Sequence, residues 1–140
     1  MRADSFNLDR FVQAQLPVIR QVREELREGR KRSHWMWFVF PQIKGLGESS
    51  MSARFALQSL GEATAYLQHP TLGPRLEECT QLVLDLEGRK VEEIFGYPDH
   101  LKFWSCMTIF ALASPEDSLF RAALRKYFNG QIDPETVERM

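Results

Sequence analysis

Two runs of residues carry most of the chemistry this chain could do: Lys31-Arg-Ser-His-Trp-Met-Trp-Phe-Val-Phe-Pro-Gln42 and, just after it, Gly45-Leu-Gly47-Glu-Ser-Ser50. Together they hold cations, an imidazole, two indoles, an amide, a carboxylate and a glycine-rich turn. A ligand site needs that mixture of apolar walls, a few aimed polar groups and closely approaching backbone. A segment that only fills a core does not need the polar half.

The residue types suggest roles. Lys31 and Arg32, with the backbone amides of Gly45 and Gly47 and the serine at Ser49, suit an anion such as phosphate. Trp35 or Trp37 would stack on a planar ring, and Gln42 would read an amide or purine edge. Glu48 is the one carboxylate inside the segment and the first candidate for a general acid or base. His34 or Asp99 would assist it, and Asp99, His100 and Lys102 open an apolar helix that would form a second wall. Each residue also has an ordinary structural reading. The aromatics could pack as core, with Pro41 forcing a corner at Phe40. His34 could satisfy a backbone carbonyl, Gln42 could bond local backbone, Glu48 could be exposed, and Asp99 could cap its helix. The four cations Arg27, Arg30, Lys31 and Arg32 could simply complement a helix C-terminus.

Several classes are excluded. The Gly45–Gly47 turn lacks the third glycine and the strand–turn–helix setting of a dinucleotide fingerprint. His34, His69, His100, Cys79 and Cys106 show none of the usual metal-pair spacings, so no metal or other cofactor is expected. There is no P-loop, zincin or nucleophile-elbow motif. A net charge of −1 provides no global field for nucleic acid or anionic membrane.

The elements that must position these residues read as helix nearly throughout. Asn7 is expected to cap a helix with Leu8, Phe11 and Val12 on one face, broken at Pro17. A second helix places Ile19, Val22 and Leu26 together, gives Arg20, Arg23, Glu24 and Glu25 to solvent, and stops at Gly29. Met51 to Leu57 starts another. Ser59 and Glu62 form a capping box for Leu60–Gln68. Further helices run from about Thr71 to Leu86, over Val91–Phe95, from Asp99 through Leu112, after Ser114-Pro115-Glu116-Asp117, and after Asp133-Pro134. The expectation is an all-α fold: residues 1–140 as a single compact, bundle-like domain of about seven or eight helices.

The 140 residues suffice for a real core, and 44% hydrophobic with 26% charged residues is ordinary for a soluble globular protein. The two cysteines read as buried free thiols. Met1 to Phe6 holds no apolar signal core, and the longest strictly apolar run, Trp35 to Phe40, is too short to span a membrane. A cytoplasmic location follows as the expectation.

With these residues in view, the chain resembles the bacterial domain-of-unknown-function 1810 family. The likeness lies in Gly29 to Gln42 with Gly45-Leu-Gly47, and continues through His69 to Leu76, Ile94 to Gly96, Asp99 to Lys102, Ser105 to Phe110 and Tyr127 to Gly130. It implies a small, all-helical, cytosolic protein and brings no settled activity. Members sometimes carry a calpastatin label, but such inhibitors are disordered repeat chains and this chain is compactly patterned. In style, the small helical architecture with tryptophan, glycine-rich turn and carboxylate is also similar to the NADAR N-glycosidases. That likeness carries over no catalytic residue and points only toward a nucleotide-like ligand.

Two functional expectations follow. One is an enzyme acting on a nucleotide-like or phosphorylated ribosyl compound, with N-glycosidic hydrolysis foremost, because a carboxylate stabilises developing oxocarbenium character. The other is a non-catalytic module binding a small ligand or a protein. Oligomeric state is not readable from the sequence.

Overall fold

The computed structural model describes residues 4–140, so Met1 to Ala3 of the N-terminal stretch lie outside the described residues. Among the described residues there are ten helices: α1 (Asp9–Gln15), α2 (Ile19–Glu28), α3 (Met36–Val39), α4 (Ser50–Phe55), α5 (Leu60–Gln68), α6 (Leu72–Leu84), α7 (Val91–Phe95), α8 (Asp99–Leu112), α9 (Leu119–Phe128) and α10 (Pro134–Arg139). The fold is all-α, as the periodicity predicts. The count exceeds seven or eight because several elements are one- or two-turn pieces. The short α3 ends where Pro41 forces Phe40 out of helical geometry (φ −125°, ψ 74°).

Helix α8 is the axis. From Phe103 to Ala111 only Trp104 is not buried, and a helix apolar on all sides belongs in the interior. It packs against α5, α7, α9 and α10, while α6 joins α2, α5 and α9. Two aromatic chains run through the core. Phe55, Phe11, Tyr66, Phe110 and Phe120 follow one another at centroid separations of 5.1–5.7 Å. Trp35, Phe40 and Phe103 form the second, with Phe95 stacked on Phe103 at 4.6 Å. Burial of Cys79 and Cys106 pushes both thiols up, Cys79 to about 12, as suits unreactive core residues.

Several caps differ from the sequence expectation. Asn7 does not cap α1; it takes a left-handed conformation (φ 53°), and the Asp4 carboxylate accepts from the amides of Leu8 and Asp9. Ser118, directly after the Ser114–Asp117 run, caps α9 by accepting from the Arg121 amide. Ser59 caps α5 as expected, but Glu62 reaches past it to the Gln58 amide (2.9 Å) and pairs with Arg10 (2.9 Å). No helix among the described residues is long and apolar enough to cross a membrane.

Candidate functional site

The segment from Lys31 to Trp35 is closed by a residue expected to face solvent. Glu25 is only 1% exposed. Gly29 ends α2 in a left-handed turn (φ 79°), and the chain then folds back over the Glu25 carboxylate. Five donors converge on it: the amides of Arg32 (2.7 Å) and Ser33 (3.0 Å), the Ser33 hydroxyl (2.6 Å), the Trp35 indole (3.0 Å) and the Gln21 amide group (3.0 Å). Burial pushes this carboxyl up, but the Ser33 hydroxyl, the Arg32 amide, the Trp35 indole and the Ser33 amide together outweigh it and bring the group down to about 2.

This closure assigns structural partners to several site candidates. Trp35 is 1% exposed and belongs to the core, so it offers no face to a ligand. Lys31 Nζ lies 2.8 Å from Asp99 Oδ2, and its backbone amide donates to the Ile94 carbonyl (2.7 Å). Arg32 pairs with Glu28 (2.7 Å) on the surface. Asp99 is the first residue of α8 rather than its cap, and its carboxylate faces Lys31 and Lys102. His34 is exposed and lines neither of the clefts described below.

The next stretch opens instead. Ile43 and Leu57 form an isolated parallel bridge, with the Lys44 amide donating to the Leu57 carbonyl and the Leu57 amide to the Gln42 carbonyl, both at 2.8 Å. Extended backbone alternates its side chains. Ile43 and Leu57 are therefore buried, while Gln42, Lys44 and Gln58 turn the other way. Arg10 supports the second segment from behind by donating to the carbonyls of Arg54 and Ala56, both at 2.8 Å.

The result is a cleft of about 230 Å³ lined by Trp37, Gln42, Lys44, Gly45, Gly47, Ser52 and Gln58 over a floor that includes Ile43 and Phe55. Gly45 turns the chain with φ 91°, a region closed to most side chains. Among the described residues, the Trp37 indole N–H, the side-chain amides of Gln42 and Gln58 and the Lys44 ammonium have no hydrogen-bond partner within the chain, whereas Trp35 donates to Glu25 and Trp104 to the Gln131 carbonyl (2.8 Å). These are the groups left available to a ligand.

Four sequence candidates thus meet in one cleft: Trp37, Gln42, Gly45 and Gly47. Ser49 is not among its lining residues; it caps α4, accepting from the Ser52 amide (3.1 Å). Glu48 is exposed and follows Gly47, and none of Glu48, His34 and Asp99 is among the residues lining this cleft. Lys44, Ser52 and Gln58 were missed. The alternation Gln42-Ile43-Lys44 and Ala56-Leu57-Gln58 is a period-2 signal that could have found two of them.

A family of proteins of unknown function, DUF1810, matches residues 5–140. The chain belongs to the DUF1810 family. A similar solved structure is that of the conserved hypothetical protein Rv1873 from Mycobacterium tuberculosis, 58% identical, covering 96% of each chain with a TM-score of 0.94. No curated protein matches the sequence. DUF1810 membership agrees with the motif from Gly29 to Gly47 and brings a fold without an activity.

Proposed function

We propose that this protein is a small-ligand-binding module whose ligand places a planar, hydrogen-bonding ring, such as a nucleobase, in the Trp37 cleft. The observation that carries this reading is the set of unpartnered polar side chains turned to one concavity: two primary amides, one indole N–H and one ammonium. A primary amide offers paired donor and acceptor atoms, the pattern glutamine uses on the edge of adenine. Lys44 is exposed at this cleft and adds attraction for an anionic ligand, weakened by salt.

A hydrolytic version of the same reading would cleave an N-glycosidic bond of a nucleotide-like or phosphorylated ribosyl compound. It needs a carboxylate at the reacting carbon. Among the described residues, no carboxylate or histidine lines this cleft. Support for that version is confined to Glu48, which directly follows Gly47 in the chain. Binding is therefore the reading the geometry favours.

Calorimetry with the common ribonucleosides and their 5′-monophosphates tests it. At least one is expected to bind, and Gln42→Ala with Gln58→Ala is expected to weaken it about tenfold or more. Absence of any binding would overturn the reading. Release of free base, abolished by Glu48→Gln, would move the assignment to the hydrolytic version.

A further inference from the structure

We infer that a second cleft, across the Gly45–Gly47 loop from the first, is another lobe of the same site and takes an anionic group of the ligand, read by Lys102. This inference rests on the binding role proposed for the first cleft. The second cleft encloses about 290 Å³ and shares Gln42 and Gly47 with the first, so one ligand bridges both. Its walls are largely apolar, including Leu46, Leu101 and Trp104, and Lys102 is the one cation among its lining residues. Leu101 is 41% exposed, apolar surface that the core does not use.

Lys102 stands at the junction. Its Nζ lies 5.3 Å from the ring centre of Trp37, which walls the first cleft, while Lys102 itself lines the second. Charge around it is incompletely compensated. Asp99 is held at 2.8 Å by Lys31, whose side chain is nearly buried, and reaches Lys102 only at 3.4 Å. Within this trio two ammonium groups share one carboxylate, leaving one unit of positive charge, and apart from the Trp37 ring the Lys102 ammonium has no other partner among the described residues. A half-buried cation against apolar walls attracts an anion more strongly than an exposed one, because water and salt screen it less.

Two carboxylates also belong to this cleft and must be weighed. The buried Asp133 is held by neutral donors, Ser105 (2.8 Å) and Thr136 (2.7 Å) to Oδ2 and the Glu135 amide (3.1 Å) to Oδ1, and keeps its negative charge. Glu135 is exposed, where solvent screens it. The lining sets one cation against two carboxylates, so the anionic group belongs at the Lys102 end, beside Trp37 of the first cleft, and the ligand class is a planar, hydrogen-bonding ring bearing an anionic substituent, such as a nucleoside monophosphate.

Calorimetric comparison of the ribonucleosides with their 5′-monophosphates, in the wild-type chain and three variants, decides the matter. The monophosphate of the base that binds is expected to bind about tenfold more tightly than its nucleoside. Lys102→Gln is expected to close that gap, and Lys102→Arg, which keeps the charge, to preserve it. Lys44→Gln, which removes a more exposed cation, should narrow the gap less than Lys102→Gln does. A gap that survives in Lys102→Gln, or that Lys44→Gln abolishes, overturns the assignment to Lys102. Nucleoside binding with no gap in the wild type overturns the second lobe alone. Failure of every compound to bind overturns the first cleft's role and the second lobe with it.

Discussion

Lys31, Arg32, Ser33 and Trp35 each place a polar group against a partner within the chain, mostly on Glu25 and Asp99. Two to nine residues beyond Trp35, the Trp37, Gln42 and Lys44 side chains present indole, amide and ammonium groups with no such partner among the described residues. The residue types are comparable in the two regions, and the family motif runs through both. What separates them is where the partner comes from. A buried carboxylate on α2 claims the first region, whereas the Ile43–Leu57 bridge turns the second outward. A polar, aromatic-rich motif can therefore be half internal bracing and half recognition surface, and only long-range pairing divides it.

The largest effect that would sharpen this contrast is expected at Glu25. Glu25→Ala strands the Trp35 indole in a buried place and two backbone amides in a partly buried one, where an unsatisfied buried donor costs about 1–3 kcal/mol. Urea denaturation should show a loss of about 4 kcal/mol in all, and a loss under 1 kcal/mol would mean the bracing is redundant. Acid acts on the same group. Its carboxyl lies at about 2 in the folded chain against an ordinary 4.5, so the stabilisation is fully present above about pH 4.5 and is lost as pH falls toward 2. The stability gap between wild type and Glu25→Gln should narrow across that window and stay constant above it.

Next in size is Trp37→Ala, which the account expects to cost about 1–2 kcal/mol of stability, because the ring is only partly buried, while weakening ligand binding tenfold or more. Equal losses at Trp35 and Trp37 in both assays would erase the distinction between bracing and recognition. Lys31→Met should cost about 1 kcal/mol by leaving the partly exposed Asp99 with only the longer Lys102 contact, read as a fall in melting temperature. At the small end, His34→Ala and Glu48→Gln should each stay within about 0.5 kcal/mol, since both side chains are exposed.

Much of the fold was legible because helix periodicity and caps are local signals. Ile19, Val22 and Leu26 share the buried face of α2, and Ser59 and Asp133 cap their helices as their positions suggest. Glu25 was not legible. Its position on α2 gives it to solvent, and only the return of the chain after Gly29 buries it. Half of the ligand-lining set proposed from the sequence reached one cleft, namely Trp37, Gln42, Gly45 and Gly47. Lys44 and Gln58 escaped notice because a single parallel bridge between residues fourteen positions apart sets their direction. Lys31 and Asp99 were read as separate functional groups, whereas in the fold they are each other's partner.

The most direct measurement is an amide-resonance titration of the isotopically labelled protein with the nucleotide that binds most tightly in calorimetry. The account expects shifts concentrated at residues 42–47, 52–58 and 101–105, with the amides of Arg32 and Ser33 and the Trp35 indole N–H unmoved. Shifts centred on Lys31–Trp35 with residues 42–58 silent would contradict it.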